Sequence, residues 1–556
     1  MSTTFLEGRA RYAASITAEE RKVLIGSSLG TVFEWYDFFL FGTLAAVIGQ
    51  QFFTKVDPST AFIFALLSFS AGFIVRPFGA VVFGRLGDRI GRKHTFLATI
   101  VLMGASTFLV GILPGYDTIG IAAPIILITM RLLQGLAVGG EYGGAVIYVA
   151  EHAPSGRRGF FTSWIQASAT TSLILALLVV LATRMALGEQ AFVAWGWRIP
   201  FLLSAILLGA SIWIRMQLEE SPIFEKMRAE GRASSAPLTE SFGNGANLKI
   251  VFSALFGLIA GFGVIWYTAQ FYVLLFLTQT LKIDPITANL LFVITLLMGL
   301  PCFILFGSLS DRIGRKKLVF TGITLAAILF FPVFKGLTHF ANPALERALA
   351  SSPVIVSADP ETCHFQFNLT GTSKFTTPCD IAKSRLVALS VAYSSETAAK
   401  GAPATVRVGD VSIGLPDLTG KSAAETDAAV KAFGAQIGAA IQKAGYPTKA
   451  DPDAINKPMI VLLSFLLVFC LTMAYGPVAA LLVELFPARI RYSSLSLPYH
   501  IGTGWFGGLA PTIAFALVAW NGDIYFGLWF PVIVAGATAV IGMLLIRETK
   551  DVDISK

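Results

Sequence analysis

Charge is scarce in this sequence. Only 14% of the 556 residues are charged, whereas soluble globular chains carry about 25%. Hydrophobic residues make up 55% of the chain, which argues against a soluble globular protein and indicates an integral membrane protein. The alternating pattern of a membrane β-barrel is absent, so the spanning elements are predicted to be helices.

Patterns for enzyme chemistry and cofactor binding are also missing. No metal-ligand spacing and no Gly-x-Ser-x-Gly turn around a nucleophile occur. Gly502, Gly504 and Gly507 match a dinucleotide-binding pattern, but no predicted strand precedes them. Residues 414–422 resemble a phosphate-binding loop with one residue too many between the glycines. We therefore expect a protein that is not an enzyme, holds no cofactor or metal, and does not use ATP.

Cysteine occurs only four times, in two settings. Cys302 and Cys470 lie in apolar runs and are predicted to be small core residues. Cys363 and Cys379 lie in a polar segment and are predicted to form a disulfide, with two free thiols as the alternative. The N-terminal segment has no short apolar stretch followed by a small-residue cleavage site, so the first apolar run is expected to remain as a span.

Apolar runs, by contrast, are abundant, and each can cross the roughly 30 Å hydrocarbon layer at about 1.5 Å per residue. Twelve lie near residues 24–50, 62–83, 97–114, 121–147, 160–184, 199–217, 249–278, 287–308, 318–337, 458–485, 494–519 and 525–546. The predicted fold is an all-α integral membrane protein with twelve transmembrane helices in two six-helix halves, plus a small α+β insert.

Five parts follow from this pattern. They are an N-terminal six-helix half (1–217), a linker (218–248), the first three helices of the C-terminal half (249–337), the polar insert (338–457) and the last three helices (458–556). The insert is too long for a bare loop. Residues 387–393 and 405–413 are predicted to form strands, and 423–443 a helix.

One short basic sequence occurs twice, each time between two apolar runs. Residues 84–96 read GRLGDRIGRKHTF, and residues 307–320 read GSLSDRIGRKKLVF. Asp88 and Asp311 are 223 residues apart, whereas Glu151 and Glu484, which open matching turns, are 333 apart. The difference of about 110 residues is close to the length of the polar segment, so the chain is predicted to be a duplicated bundle with an insertion in its second half.

Lysine and arginine concentrate in alternate loops. These loops lie around residues 85–93, 157–158, 226–232, 312–317 and 489–491. Cytoplasmic loops of membrane proteins carry such an excess, so both termini and the linker are predicted to be cytoplasmic and the insert to lie outside. An outside location would place the insert cysteines in an oxidising compartment, which favours a disulfide.

Two carboxyl groups fall inside the first predicted span. Glu34 and Asp37 are three residues apart and share a helix face near the middle of the membrane. A buried carboxyl that changes its protonation as access changes is what a proton-coupled carrier needs. We predict a proton-coupling role for both, and the alternative is a structural pair satisfied by an arginine or by backbone.

Polar residues in other spans are candidates for substrate binding. They are Arg131, Gln134, Tyr267, Gln270, Tyr499 and His500. Arg131 could hold an anionic substrate or pair with Asp37. The alternatives are helix packing for Tyr267 and Gln270, and an ordinary hydrogen bond for His500.

A further set is predicted to act in gating. It consists of Asp88, Arg92, Arg76, Glu141, Asp311 and Arg315. In the repeated turn, Asp88 can stabilise a nearby helix N-terminus, and Arg92 can pair with an acid on a neighbouring helix. Such contacts would hold the cytoplasmic side shut in one state and break in the other, unless the turn only sets topology. Arg76 is expected near the cytoplasmic end of its span, and Glu141 could instead pair with a loop base.

The repeated turn resembles the loop between the second and third helices of major facilitator superfamily transporters. The matching residues are Gly84, Leu86, Asp88, Arg89, Gly91, Arg92 and Lys93. Residues 34–38, 131–144 and 195–201 also resemble the metabolite:proton symporter group of that family. The resemblance covers the chain except residues 338–457. It implies a symporter for α-ketoglutarate, citrate, shikimate, proline, betaine or related molecules, with Asp37 for coupling and Arg131 for binding.

We therefore expect a proton-coupled symporter that imports a small polar metabolite. A carboxylate is favoured because Arg131 and Arg76 are bases embedded in the membrane. The alternatives are a proline- or betaine-like osmolyte symporter, sodium-driven or facilitated uptake, and a non-transporting sensor that binds ligand through the insert. The expected partners are a small-molecule substrate and the lipid bilayer, not nucleic acid, with the chain a monomer in a bacterial inner membrane.

Overall fold

The computed structural model describes residues 16–56, 58–90, 92–140, 142–216, 230, 237–364, 377–389, 391–416, 418, 421–488 and 490–554. Within these ranges, the side chains at 19, 58–60, 84–90, 92–97, 215, 237–238, 388, 423–424 and 427 are not described.

Helices dominate the first half. They are Ala18–Thr43, Ala45–Phe52, Pro58–Ile90, Arg92–Ile112, Tyr116–Ile119, Ala122–Gly139, Tyr142–His152, Arg158–Leu187, Glu189–Ala191 and Arg198–Met216, with a π-helical turn at Phe192–Gly196. The first helix begins at a capping box in which the Thr17 hydroxyl accepts from the backbone N–H of Glu20.

The second half is also helical. Its helices are Pro237–Gly243, Gly245–Ala254, Ala260–Tyr267, Val273–Leu275, Pro285–Ile313, Arg315–Ala341, Lys457–Leu485, Arg491–Ile501, Ala510–Asn521 and Trp529–Leu545. Successive pieces are joined by π-helical turns at Leu255–Ile259, Thr268–Tyr272, Phe276–Thr280 and Gly502–Gly508, and a 3₁₀ turn Phe526–Leu528 precedes the last helix.

Among the described residues, nine helical stretches are long and apolar enough to cross a membrane, and two bent pairs raise the number to eleven. The bent pairs are Glu20–Thr43 with Ala45–Phe52, and Glu189–Gly196 with Arg198–Ile214. The helix Ala98–Ile112 is apolar but shorter. A bundle of apolar spans is therefore confirmed, whereas the count of twelve remains a prediction.

Several helices of both halves begin or end together at one end of the bundle, which we call the basic end. Arg158, Arg315 and Arg491 each begin a helix there. The helix Arg315–Ala341 leads away from the basic end, and Lys457–Leu485 returns to it. The segment between these two helices therefore lies at the opposite end of the bundle.

That segment, which we call the insert, contains a four-stranded sheet. Its strands are β1 (Val354–Ala358), β2 (Ser394–Thr397), β3 (Thr405–Val408) and β4 (Val411–Gly414), in the order β2-β1-β3-β4. β1 pairs parallel with β2 and antiparallel with β3, and β3 pairs antiparallel with β4. The helices Pro343–Ser351, Pro378–Ala388 and Ala423–Lys443 and a 3₁₀ turn at Pro360–Thr362 complete it. The insert has a hydrophobic core of its own, separate from that of the bundle.

The insert departs from the sequence-based expectation in two places. The helix predicted at 423–443 is confirmed, but the strand predicted at 387–393 is wrong. A helix forms at Pro378–Ala388 instead, because Thr377 caps it and Pro378 occupies its first turn. The single strand predicted at 405–413 is a hairpin, because Gly409 (φ +55°) turns the chain between β3 and β4. Cys363 and Cys379 form a disulfide with their Cα atoms 5.0 Å apart.

Glycines set the crossing that positions the buried arginines. A Cβ added at Gly135 would overlap the carbonyl oxygen of Gly72, and one at Gly139 would overlap that of Arg76. Helix Ala122–Gly139 can therefore pack directly on helix Pro58–Ile90, as expected for small residues spaced four apart. The crossing holds the backbone of Arg131 against Gly72, one turn from Arg76.

Candidate functional site

Two arginines lie fully buried within the bundle, close to both halves. Arg76 and Arg131 have no solvent exposure. Both face the ring of Phe38, with guanidinium-to-centroid distances of 4.3 Å for Arg76 and 4.9 Å for Arg131. Asp37, also buried, interacts electrostatically with Arg131. The ring face and the acid partly offset the cost of burying two like charges.

Arg131 is oriented by a chain of hydrogen bonds. Its Nη1 donates to Oε1 of Gln134, one turn further along the same helix. Nε2 of Gln134 donates to Oγ1 of Thr107 at 2.6 Å. Nε and Nη2 of Arg131 have no hydrogen-bond partner within the described part of the chain. The guanidinium is therefore held in one direction with two donors available for a ligand oxygen.

Side chains of the second half approach the same arginines. Tyr267 interacts electrostatically with both Arg76 and Arg131. His500 is fully buried and interacts electrostatically with Arg76. We call the group formed by Asp37, Arg76, Arg131, Gln134 and Tyr267 the central site. It brings together four of the residues predicted for coupling or binding.

Arg76 lies within the apolar span Ala61–Phe83, seven residues before its end. It is the nineteenth of the 33 residues of helix Pro58–Ile90, which continues past Pro77. The helix tolerates that proline, and the expected position of Arg76 near the cytoplasmic end of the span remains a prediction. Its contacts with Phe38 and with the ring of Phe73 (4.3 Å) assign it to the central site.

Aromatic rings from both halves border the central site. They line a small cavity of about 10 Å³ and form what we call the aromatic cage: Trp35, Phe262, Trp266, Tyr267, Tyr475 and Tyr499. The ring of Tyr499 stacks on that of Tyr142 at 3.6 Å, and its hydroxyl oxygen lies 3.4 Å from that of Tyr475. Aromatic faces arranged in this way attract cationic groups.

The remaining predicted residues lie near this centre. Gln270 donates through Nε2 to Oγ1 of Thr170 at 2.9 Å, which links the second half to the first. Glu34 is buried like Asp37, but it borders a separate small cavity together with Trp35 and Tyr142. Asp37 interacts electrostatically with Arg131 and belongs to the central site.

The second copy of the repeated turn joins the two halves at the basic end. The carboxylate of Asp311 accepts from the backbone N–H groups of Gly159 at 2.8 Å and Phe160 at 2.9 Å. These are the first amides of helix Arg158–Leu187, whose N-terminus favours a negative charge. Arg315 donates to the same carboxylate at 2.6 Å. This contact is of the kind expected for Asp88 in the first copy.

Two ion pairs cross between the halves in a reciprocal arrangement. Arg158 of the first half lies 3.5 Å from Glu484 of the second, and Arg491 of the second lies 3.2 Å from Glu151 of the first. Arg315 also donates to Glu484, at 3.2 Å. The side chains in these pairs are at most 9% exposed. Together with Asp311 they form what we call the gate network, which joins the two halves at the basic end.

The corresponding residues of the first copy are not described. The side chains of Asp88 and Arg92, and the whole of Glu141, lie outside the described residues. Their gating roles therefore remain predictions.

Comparison with known proteins identifies the family. A family model described as sugar (and other) transporter matches residues 23–247. The shikimate transporter of Escherichia coli K12 is 36% identical over 348 residues, which cover 61% of this chain and 77% of that protein. The chain belongs to the major facilitator superfamily of transporters.

Other members of the superfamily agree with this assignment. The glycine betaine/proline/ectoine/pipecolic acid transporter of Dickeya dadantii is 37% identical to this transporter over 327 residues, or 56% of this chain. The matched region spans 64% of that carrier, just under two thirds of its length. The solved structure of the proton:xylose symporter XylE of E. coli shares the fold, with a TM-score of 0.63 at 16% identity, covering 97% of this chain and 98% of XylE.

Sequence reasoning missed the two reciprocal ion pairs of the gate network in this transporter. Arg158 and Arg491 each follow a glutamate of their own half, Glu151 and Glu484, by seven residues. Because those glutamates were already matched by the internal duplication, equal spacing could have identified both arginines. The aromatic partners Tyr142 and Tyr475 carried no comparable signal, since their contacts join helices far apart in sequence.

Proposed function

We propose that this transporter is a proton-coupled symporter that imports a small carboxylate by alternating access. The observation that carries the proposal is the pair of fully buried guanidinium groups of Arg76 and Arg131. Buried like charges are costly unless they are compensated, and a substrate carboxylate would compensate them. The donors Nε and Nη2 of Arg131 suit a carboxylate oxygen.

Asp37 is the proposed proton carrier. While it is ionised, its charge stabilises Arg131, with which it interacts electrostatically. When Asp37 takes up a proton, Arg131 loses that compensation and binds an anion more strongly. Proton and carboxylate therefore favour each other's binding, which is the requirement for symport. The proton is the proposed coupling ion, and no cofactor takes part.

In the proposed cycle the two halves rock around the central site. The gate network closes the basic end here, and its ion pairs would separate in the opposite state. We count the short helix Ala98–Ile112 as the twelfth span. We assign the basic end and both termini to the cytoplasm, because lysine and arginine concentrate there, and the insert to the outside. The proposed setting is a monomer in a bacterial inner membrane.

A zwitterionic osmolyte is the second candidate substrate, favoured by the aromatic cage. A quaternary ammonium or prolyl nitrogen could contact the cage while the carboxylate bound Arg131. Among the relatives, one is a shikimate transporter and another a glycine betaine/proline/ectoine/pipecolic acid transporter, so both substrate classes occur among similar proteins.

A thermal-shift panel of carboxylates and betaines tests the binding site, because a ligand that binds only the folded protein raises the unfolding temperature. We expect Arg131→Gln to abolish the shift given by the best ligand. Arg184→Gln is the matched control. Arg184 is not part of the central site, and its Nη1 lies 2.7 Å from Oε1 of Glu189. Trp266→Leu should weaken only a cationic ligand. A full shift in Arg131→Gln would contradict the proposal.

A further inference from the structure

A cavity of about 150 Å³ lies where the insert meets both halves of the bundle, at the end opposite the basic end. We call this cavity the mouth site. It is lined by Phe62 and Ile63 of the first half, by Val387, Val391, Ala392 and Tyr393 of the insert, and by Gln279, Thr280, Phe515, Val518, Ala519, Gly522 and Ile524 of the second half. A cavity of this volume can hold one molecule of about the size of benzene.

The insert is fixed to the second half by hydrogen bonds at this cavity. The backbone N–H of Tyr393 donates to the carbonyl oxygen of Gly522 at 3.0 Å, and the hydroxyl of Tyr393 donates to that of Ala519 at 2.8 Å. Near the end of the insert, the backbone N–H of Ala450 donates to the carbonyl oxygen of Lys282 at 3.0 Å. The insert wall of the mouth site is therefore carried by the second half.

The first half meets the mouth site through packing. The insert helix Pro378–Ala388 packs against helix Pro58–Ile90. The ring of Phe62 meets that of Phe515 edge-on, with 5.2 Å between the centroids. These packed surfaces can separate when the two halves move, which would open the mouth site on the side of the first half.

The mouth site lies on helices that also reach the central site. Phe62 precedes Arg76 by fourteen residues on helix Pro58–Ile90, or about 21 Å at 1.5 Å per residue. Gln279 lies on the same span as Tyr267. A solute that enters between the halves from this end therefore passes the mouth site before it reaches the arginines.

The lining of the mouth site suits an ammonium group. The aromatic residues Phe62, Tyr393 and Phe515 line it on three sides, one from each part of the chain. Aromatic faces attract cations. The helix Ala510–Asn521 also ends at this cavity, and a helix C-terminus favours a positive charge.

Groups suited to a carboxylate lie beside the same cavity. Gln279 and Thr280 carry N–H and O–H donors. Lys383 is only 7% exposed and lies one turn before Val387 on the insert helix. Its Nζ lies 5.8 Å from the centroid of the Tyr393 ring. A ligand that carries both charges can therefore find partners for each of them here.

We propose that the mouth site binds a small zwitterion, an amino acid or a betaine, and that the insert supplies one wall of this outer binding site. The inference rests on the proposed alternating-access function and takes its zwitterionic candidate as the substrate. The mouth site selects a solute by volume and by the presence of both charges before the solute reaches the central site. The insert thereby takes part in substrate recognition.

The test uses a reporter thiol in the first-half wall of the mouth site. Ile63→Cys is made in the full chain with Cys302→Ala and Cys470→Ala, which leaves the Cys363–Cys379 disulfide in place. A membrane-impermeant maleimide is added on the side of the membrane that faces the insert, and the labelling rate is measured at increasing concentrations of glycine betaine. We expect saturating glycine betaine to slow the labelling about tenfold, because a ligand held in a pocket excludes the reagent.

Two analogues separate the charges of glycine betaine. tert-Butylacetate has the same shape with a neutral carbon in place of the ammonium nitrogen, and choline has the ammonium group without the carboxylate. We expect each analogue to need a concentration about tenfold higher for half-maximal protection, because each loses the contacts of one charge. Equal protection by all three compounds would overturn the proposal.

Two substitutions test the walls of the mouth site. Val391→Phe places a larger side chain in the insert wall and should raise the half-protecting concentration of glycine betaine about tenfold. Val411→Phe, at an exposed position of β4, is the matched control and should leave that concentration unchanged. Gln279→Leu removes a polar donor and decides the outcome if Val391→Phe fails to fold. Unchanged protection in Val391→Phe and Gln279→Leu would overturn the proposal.

Arg131→Gln separates the mouth site from the central site. Protection of the Ile63→Cys thiol should persist in this variant, because glycine betaine then has only the mouth site to occupy. Loss of protection in Arg131→Gln would overturn the proposal. The labelling needs no pH gradient, so protection in a protein without proton-driven uptake would contradict the proposed coupling and leave the mouth site intact.

Discussion

Arg158 and Arg491 occupy equivalent places in the two halves, and each forms an ion pair with the glutamate that precedes the other. Arg158 pairs with Glu484, and Arg491 pairs with Glu151. A duplicated bundle thus joins its two halves at the basic end with two copies of one contact. Because each pair joins the two halves, relative motion of the halves must strain both together.

The Arg491–Glu151 pair is expected to be energetically coupled. Arg491→Gln or Glu151→Gln alone leaves a buried charge without its partner, at a cost of about 3–5 kcal/mol. The double variant should lose less free energy of unfolding than the two single variants lose together, with a coupling energy of about 1–3 kcal/mol. The unfolding midpoints of wild type, the two single variants and the double variant, measured in detergent, give this coupling energy. Additive effects would show that the pair does not contribute to closure.

The glycine crossing should control ligand binding at a distance. Gly139→Ala places a methyl group against the carbonyl oxygen of Arg76 and should cost about 1–3 kcal/mol through overpacking. By displacing Arg76 from Arg131, it should also weaken the thermal shift given by the best ligand. Gly209→Ala is the control, because a Cβ there meets nothing within 4 Å. Equal effects of Gly139→Ala and Gly209→Ala on the ligand-induced thermal shift would show that the crossing does not control ligand binding.

Sequence reasoning anticipated much of the fold and part of the site. The apolar runs, the duplicated turn and the family followed from local pattern. Asp37, Arg131 and Gln134 were proposed as site residues because polar side chains are rare within membrane spans. The contact of Arg76 with the ring of Phe38 could not be predicted, because it forms only when two helices pack together. Tyr142 and Tyr475 were missed because their contacts exist only after distant helices pack.

The insert illustrates a different limit of sequence reasoning. Residues 387–393 are apolar and partly β-branched, which is typical of a strand. The helix initiated by Thr377 and Pro378 extends into that stretch and overrides the preference. The helix Ala423–Lys443 was predicted with its correct bounds from its helical spacing and its good helix formers, and the structure adds a capping box at Ser422.

The disulfide should stabilise the insert rather than the bundle. Cys363→Ser with Cys379→Ser opens a loop of 16 residues, for which the expected loss is about 3 kcal/mol. Because the insert has its own core, faster amide hydrogen exchange should be confined to its peptides. Cys302→Ser is the control, since that thiol is free and lies in the bundle. Unchanged exchange in the insert would contradict the prediction.

Glu548 predicts a pH dependence at the basic end. Partial burial alone would raise the pKa of this carboxyl, but the backbone N–H groups that it accepts from hold the pKa below its ordinary value. Its contribution to stability is therefore present above the pKa of the unfolded chain and is lost as pH falls through the lower folded pKa. Unfolding midpoints of wild type and Glu548→Gln should differ at pH 7, begin to converge as pH falls below about 4, and meet below the lower folded pKa. A difference between the two unfolding midpoints that grew at acid pH would contradict the prediction.

Uptake into proteoliposomes under an imposed pH gradient tests the central claim most directly. With the ligand selected by thermal shift, wild type and the exposed-site control Asp117→Asn should accumulate substrate against its concentration gradient. Asp37→Asn should lose accumulation while still exchanging substrate across the membrane, because the arginines remain. Accumulation by Asp37→Asn at the wild-type level would contradict the account.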